Sequence, residues 1–315
     1  MGWGIVCGLG AGALWGIVFL MPVWLAEFSP LELALGRYLA YGAIAAGLMF
    51  PRLPRLLARL GRDDVVALLR HALSGNIVYY VLLSSGVALA GVAPTSLIIG
   101  MLPLSVSLMG RADHGAAPLR KLAWSLLAVA AGMVCINADL LLQNGRAGSP
   151  LHTLAGVGCA LGALLCWTWY AVDNARFLKR KPQFSSAEWS ALYGIASAVL
   201  AMLLGAALLS WRLLWPVAAA LTPQRNWSKF WLANAALALA ASVIGNQLWN
   251  IASRRVPMTL SGQLILSETL FALLYAFLYY QRWPRPLELA AIALLVTGVA
   301  WAVRAHAPTE PLVPE

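Results

Sequence analysis

Charge is what this chain has least of. Only 11% of its 315 residues are Asp, Glu, Lys or Arg, against 61% in the hydrophobic set, and the mean hydropathy is +0.76. A soluble domain carries about 25% charged residues, so a soluble globular protein is excluded and an integral membrane protein is indicated. Acids are scarcer than bases, 12 against 22, which gives a formal net charge of +10. The excess sits in short loops between apolar runs, the pattern that orients a chain in a bilayer and not that of a nucleic-acid-binding surface. The expected partners are the lipid bilayer and a small-molecule substrate, with no nucleic acid.

Other absences narrow the function. The four cysteines, Cys7, Cys135, Cys159 and Cys166, lie within apolar runs and lack zinc-ligand spacing with a nearby histidine, so they read as small packing residues. His71, His114, His152 and His306 fall at loops or helix ends, which leaves no buried catalytic histidine. No metal and no cofactor are expected. The chain has no G-x-x-x-x-G-K-[ST] loop and no soluble domain, which argues against ATP drive. Its first apolar run begins at Trp3 without a basic n-region or an A-x-A site, as in a retained helix rather than a signal peptide.

What is present is a series of apolar segments of bilayer length. A hydrocarbon core of about 30 Å needs about 20 helical residues. Ten such segments are marked off by charges, Pro and Gly: 3–24, 31–50, 66–89, 93–111, 119–137, 152–175, 187–210, 229–252, 257–280 and 286–304. The fold class expected is an all-α integral membrane protein of ten transmembrane helices. With the N-terminus inside, the inner loops hold fourteen Lys and Arg and the outer loops six, while Arg37 and Arg70 lie within spans. The positive-inside rule then puts both termini in the cytoplasm of a bacterial-type inner membrane. The loop 211–228 fits this worst, since it carries positive charge outside.

The chain also resembles itself. GAGALW lies over LGALLCW, with Gly10 on Gly162 and Trp15 on Trp167, and FSPLEL lies over FSSAEW, with Phe28 on Phe184 and Glu32 on Glu188. Pro103 and Gly132 are spaced much as Glu268 and Gly298 are, and Gly75-Asn76 recurs as Gly245-Asn246 in a register that disagrees with the next helix. Five spans per half is odd, so the halves 1–144 and 145–315 enter the membrane from opposite sides. Inverted repeats of this kind can expose one central site to either face.

Three stretches carry a family likeness: GLGAGALWG in the first segment, VAPTSLIIGMLPL in the fourth, and VPMTLSGQLILSETLFALLYAF with PLELAAIALLVTGVAWAV in the last two. Together they resemble the ten-helix branch of the drug/metabolite transporter superfamily, over nearly the whole chain. RYLAYG in the second segment and the density of aromatic residues look most like the bacterial exporters of aromatic amino acids. The likeness implies an EamA-like fold and an alternating-access exporter. The chain departs from the superfamily pattern at Thr269, where a proline commonly follows the glutamate, and at Gln281, where a second acid is common.

Fourteen tryptophans belong mainly at membrane interfaces. Trp3, Trp24, Trp124, Trp189, Trp211, Trp215, Trp227, Trp231, Trp283 and Trp301 comply, being near segment ends. Trp15, Trp167, Trp169 and Trp249 do not, and an indole N–H in hydrocarbon lacks a partner. These four are expected to face protein or a wet cavity; core packing explains them equally well. Asn246, Trp249, Asn250 and Ser253 share one helical face, as do Asn76, Tyr80 and Ser84 with Tyr79 beside them. Trp167 and Tyr170 lie on the segment that parity pairs with that of Trp15, so a ring-lined chamber for an aromatic solute is expected there. The candidate substrate contacts are therefore Trp15, Asn76, Tyr79, Tyr80, Ser84, Trp167, Trp169, Tyr170, Asn246, Trp249, Asn250 and Gln263. Interhelical hydrogen bonding is the plainer reading of the amides.

Glu268 is the one carboxylate deep in a span, and its position matches a glutamate that recurs in the superfamily. Proton coupling, contact with a substrate ammonium and helix bridging are its open roles. Arg37 snorkels, pairs with Glu32 or binds a substrate carboxylate. Gly86, Gly91, Pro94, Pro103 and Pro257 are candidate hinges. The expected function is a monomeric secondary exporter of aromatic or hydrophobic amino acids, with efflux of hydrophobic drugs or other metabolites as the alternative. A membrane-embedded transferase would need histidine or paired acids facing a cavity, so no enzyme is expected; a scaffold would not need mid-span Asn, Glu and Trp in both halves.

Overall fold

In lipid the backbone must satisfy its own polar groups, and an apolar chain does so by becoming helical. The computed structural model describes every residue except 26, 91–94, 96, 97, 114–117, 144–149, 215–224 and 307–315, and the described residues contain no strand. Apart from the short helices Met21–Trp24 and Leu53–Ala58, the described α-helices are α1 (Gly2–Gly16), α2 (Pro30–Met49), α3 (Arg62–Ala72), α4 (Tyr79–Ala90), α5 (Leu102–Met109), α6 (Leu119–Gln143), α7 (Pro150–Arg180), α8 (Ser186–Leu214), α9 (Trp227–Leu237), α10 (Gly245–Arg255), α11 (Met258–Leu264), α12 (Leu266–Tyr280) and α13 (Pro286–Ala305). Among the described residues, six continuous stretches are long and apolar enough to cross a membrane: Arg62–Val87, Leu151–Arg180, Ser186–Ser210, Trp227–Arg255, Met258–Tyr280 and Pro286–Ala305. The fourth expected segment lies partly outside the described residues.

Two of these stretches contain a π-helical segment, Leu73–Val78 between α3 and α4 and Ala238–Ile244 between α9 and α10. The wider i→i+5 turn rotates the residues after it, so helical-wheel spacing fails across it. A third irregularity, at Ile265, separates α11 from α12.

The helices pack in a reciprocal pattern. In the first half α1 lies against α10 and α12, and in the second α7 lies against α4 and α5. Three more pairs join the halves directly: α2 with α8, α6 with α13, and α5 with α11. The α2–α8 seam is close because Gly42 has no side chain; a Cβ there would sit 2.1 Å from Ala198 Cβ. One buried core, containing Trp15, Tyr41, Trp167, Tyr170, Trp189 and Trp249, draws on both halves.

Candidate functional site

At the centre, three indoles meet. Trp15 on α1 stands edge-on to Trp167 on α7, with centroids 6.5 Å apart, and Trp249 on α10 lies 5.4 Å from Trp15 and 6.2 Å from Trp167. Trp15 Nε1 donates to Ala241 O at 2.9 Å, a carbonyl within the second π-helical segment. Trp249 Nε1 is buried without a partner among the described residues. Tyr170 continues the cluster, 6.0 Å from Trp167 and stacked on Tyr193. Rings from the two halves meet, but against the expectation of a ring-lined chamber they are buried and packed on one another in this conformation.

The amides are engaged as helix bridges. Asn250 Oδ1 accepts from Asn174 Nδ2 at 3.1 Å, and Asn174 Oδ1 accepts from Trp189 Nε1 at 2.9 Å. Asn76 donates to Ser197 Oγ at 2.7 Å, and Asn246 donates to the Tyr41 hydroxyl at 3.3 Å. Gln263 is fully buried, accepting from Ser125 Oγ at 3.2 Å. Ser253 Oγ is buried without a partner among the described residues. Trp169 points elsewhere than Trp167, toward His71 and under the Arg70 guanidinium. Tyr79 packs at the edge of the core, and the Ser84 side chain lies outside the described residues, as do Gly91 and Pro94. Gly86 is buried against the Gly156 carbonyl, Pro103 stands in the first turn of α5, and Pro257 is the N-cap of α11.

Three expectations need correction. His71 is fully buried, ringed by Trp169, Tyr170, Phe177 and Trp189. Position at a helix end does not fix burial when another helix end covers it. For the same reason Trp189 is fully buried and stacked on Phe177, 4.3 Å between centroids, rather than interfacial. Arg37 does not pair with Glu32: Glu32 closes a capping box on Ser29 and pairs with Arg225 at 2.8 Å.

That last pair has a twin. Glu188 closes the same box on Ser185 and pairs with Arg59 at 3.1 Å. Each arginine also lies over the phenylalanine of its motif, Arg225 over Phe28 at 5.5 Å and Arg59 over Phe184 at 5.4 Å. Arg59 follows α2 and reaches the start of α8; Arg225 follows α8 and reaches the start of α2. The two helices are thus antiparallel, with one latch at each end of the seam.

The ends differ in what else they carry. Beside the Arg59 latch, Asp173 on α7 accepts from Arg70 Nη2 and bonds His71 Nε2, each at 2.8 Å. Arg176 forks onto Asp113 at 2.8 Å, and Lys181 pairs with Asp64 at 2.9 Å. A cleft of about 320 Å³ at this end is lined by Asp63, Arg70, Phe177, Arg180 and Lys181. Beyond Arg225, a gap of about 20 Å³, room for about one water, is lined by Val18, Met21, Leu33, Arg37, Tyr80 and Asn234. Arg37 Nε donates to Ser242 Oγ at 3.0 Å and meets no carboxylate among the described residues. Glu268 is half-buried, with no ion-pair or hydrogen-bond partner for its carboxylate among the described residues.

Over 313 residues the chain is 32% identical to the inner membrane protein YtfF of Escherichia coli (strain K12), an alignment covering 98% of this chain and 97% of that one. The chain belongs to the YtfF family. As a YtfF-family member with several membrane-length helices, it is a multi-pass inner membrane protein. No protein-family model matches it. A solved crystal structure has the same fold, with a TM-score of 0.74 over 96% of each chain at 23% identity. Polar groups within the helices of this YtfF relative are therefore to be weighed against lipid, where an unpaired charge is expensive.

Sequence reading missed His71, Asp173, Asn174 and Asn234 as members of polar clusters. Only Asp173 and Asn174 carried a visible signal, as acid and amide at the end of the aromatic run CWTWYAVDN.

Proposed function

We propose that this protein is a secondary transporter of the drug/metabolite transporter superfamily, built from ten transmembrane helices in two inverted five-helix repeats, 1–144 and 145–315. It exports small organic solutes, aromatic or hydrophobic amino acids foremost, by alternating access and without an ATP-driven step. One observation carries the reading: the same latch, a Phe-Ser-x-x-Glu capping box held by an arginine from across the α2–α8 seam, occurs once at each end. A gate repeated at both mouths is what alternating access asks of two inverted halves. The reciprocal packing of α1 on α10 and α12, and of α7 on α4 and α5, supports the same symmetry. With positive-inside orientation, the end bearing Arg59, Asp173 and Asp113 is cytoplasmic and closed in this conformation. The indole cluster then packs tightly here and separates when the halves rock.

The test is counterflow in proteoliposomes. Vesicles preloaded with unlabelled tryptophan, phenylalanine, leucine or lysine should accumulate the labelled form only when they contain the protein. Exchange equal to that of empty liposomes for every solute, including a panel of hydrophobic drugs, would remove the transport reading. A gradient of pH, applied to wild type and Glu268→Gln, separates proton coupling from facilitated diffusion.

A further inference from the structure

The cleft of about 320 Å³ beside the Arg59 latch lies between two helical faces of like design. On α3, Asp63, Val66, Ala67 and Arg70 follow the i, i+3, i+4, i+7 spacing of one face, and at the end of α7, Phe177, Arg180 and Lys181 follow i, i+3, i+4. Three cations thus line the cleft beside an apolar wall and a single acid. Arg70 gives one nitrogen to Asp173 and keeps half its side chain in solvent, and Lys181 holds Asp64 with a third of its side chain exposed. Arg180 is exposed and has no ion-pair or hydrogen-bond partner among the described residues. The depth of the cleft in the membrane follows from the chain: the apolar stretch Arg62–Val87 begins here and Leu151–Arg180 ends here, so both helices leave the hydrocarbon at this level. From the cleft an apolar stripe runs along α3, where Val66, Leu69 and Leu73, at i, i+3 and i+7, are all exposed.

We propose that this cleft seats the headgroup of an anionic phospholipid, its phosphodiester among Arg70, Arg180 and Lys181 and an acyl chain along Val66, Leu69 and Leu73. Basic pockets between helices at the membrane surface are built to take such headgroups, whose charge the cations neutralise. A soluble anion would use the three cations and leave the apolar wall and stripe idle; a lipid uses both. A zwitterionic lipid brings an ammonium group into a cleft where one acid, Asp63, faces three cations. The volume falls at the lower end of the range of small-molecule pockets, about 300–1,000 Å³, which suits a headgroup whose tails lie outside. The inference needs only the membrane location of the protein and stands apart from the transport reading above.

The experiment is native mass spectrometry of the purified full-length protein, released from detergent after equilibration with phosphatidylglycerol, phosphatidylethanolamine or glycerol 3-phosphate at equal concentration. Phosphatidylglycerol should be retained as a discrete single-lipid adduct, phosphatidylethanolamine much more weakly, and glycerol 3-phosphate not at all. Arg180→Gln should weaken retention of phosphatidylglycerol roughly fivefold, the effect of one cation at a membrane surface, and Val66→Asp, which sets an acid at an exposed point of the apolar wall, should do likewise. Arg70 and Lys181 are left intact because they also hold Asp173 and Asp64. Arg55→Gln removes the same charge from an exposed position outside the cleft and should leave retention unchanged, with an unaltered size-exclusion peak as the check on folding of every variant. Equal retention of the two lipids overturns the proposal, as does an equal loss in Arg55→Gln and Arg180→Gln. Glycerol 3-phosphate held as well as phosphatidylglycerol would assign the cleft to a soluble anion and overturn the lipid seat.

Discussion

Replacing Asp173 with asparagine tests the proposed gate at the Arg59 end. Its carboxylate holds Arg70 and His71, each at 2.8 Å, and so ties α3 of the first half to α7 of the second. Arg70 has half its side chain in solvent, so that pair contributes at most about 1 kcal/mol. The His71 bond is made by a fully buried ring, and a buried hydrogen bond to a charge contributes about 1.5–3 kcal/mol. Asparagine keeps one acceptor oxygen and loses the charge, which accounts for roughly half of such a bond. The closed end should therefore weaken by about 1–2 kcal/mol, a shift of roughly 5–30-fold toward the state open at that end.

A reporter cysteine at Ala171, itself 1% exposed and two residues before Asp173 on α7, reads the opening. In a background without the four native cysteines, its reaction rate with a water-soluble methanethiosulfonate should rise by that factor in inside-out vesicles. Glu32→Gln, at the opposite latch, should not accelerate it. Equal rates in Asp173→Asn and its parent, with both proteins running as the same sharp size-exclusion peak, would refute the idea that this cluster is a gate.

Further outcomes follow from the packing. Gly75→Ala places a Cβ 2.6 Å from Tyr170 Cγ and 2.8 Å from Tyr193 OH, and should cost about 1–3 kcal/mol in detergent unfolding, whereas Gly205→Ala meets nothing within 4 Å and should be neutral or stabilising. Trp167→Ala should destabilise by about 3–5 kcal/mol and reduce transport, while Asn246→Ala should reduce transport with expression intact, because Tyr41 keeps its bonds to Ser190. Simultaneous loss of folding and transport in both variants would favour a packing role for these residues. His306 lies just past α13, its Nδ1–H donating to Ala302 O at 2.7 Å and its Nε2 facing the Thr259 hydroxyl at 2.6 Å. Burial pushes its imidazolium below the usual histidine range, so the folded state disfavours the proton. Its contribution is complete above about pH 6.5, the unfolded value, and is lost as pH falls toward the lower folded value. Tm should drop over that window, and His306→Asn should flatten the drop.

The membrane class, the helical content and much of the element placement were legible in one sequence, because lipid leaves the backbone little choice and turns hydropathy and length into strong constraints. The likeness of Phe28 and Glu32 to Phe184 and Glu188 was legible too, since capping boxes are local. Their arginines were not: Arg59 and Arg225 arrive from loops that only the α2–α8 seam brings round. Helical-wheel reasoning placed Asn76, Tyr80 and Ser84 on one face, and the π-helical segment Leu73–Val78 changes the phase between them, sending Asn76 to Ser197 and Tyr80 to Arg37's gap. His71 and Trp189 looked terminal in sequence and are buried, because what covers a helix end comes from the other half of the chain. By itself the sequence determined the membrane class, the all-helical character and the likeness of two short Phe-Ser-x-x-Glu motifs. Only the tertiary structure decided which polar groups find one another, as Arg37 finds Ser242, and which, like Asn234 Oδ1, have no partner among the described residues, since pairing across helices depends on azimuth and seam, quantities that no linear spacing contains.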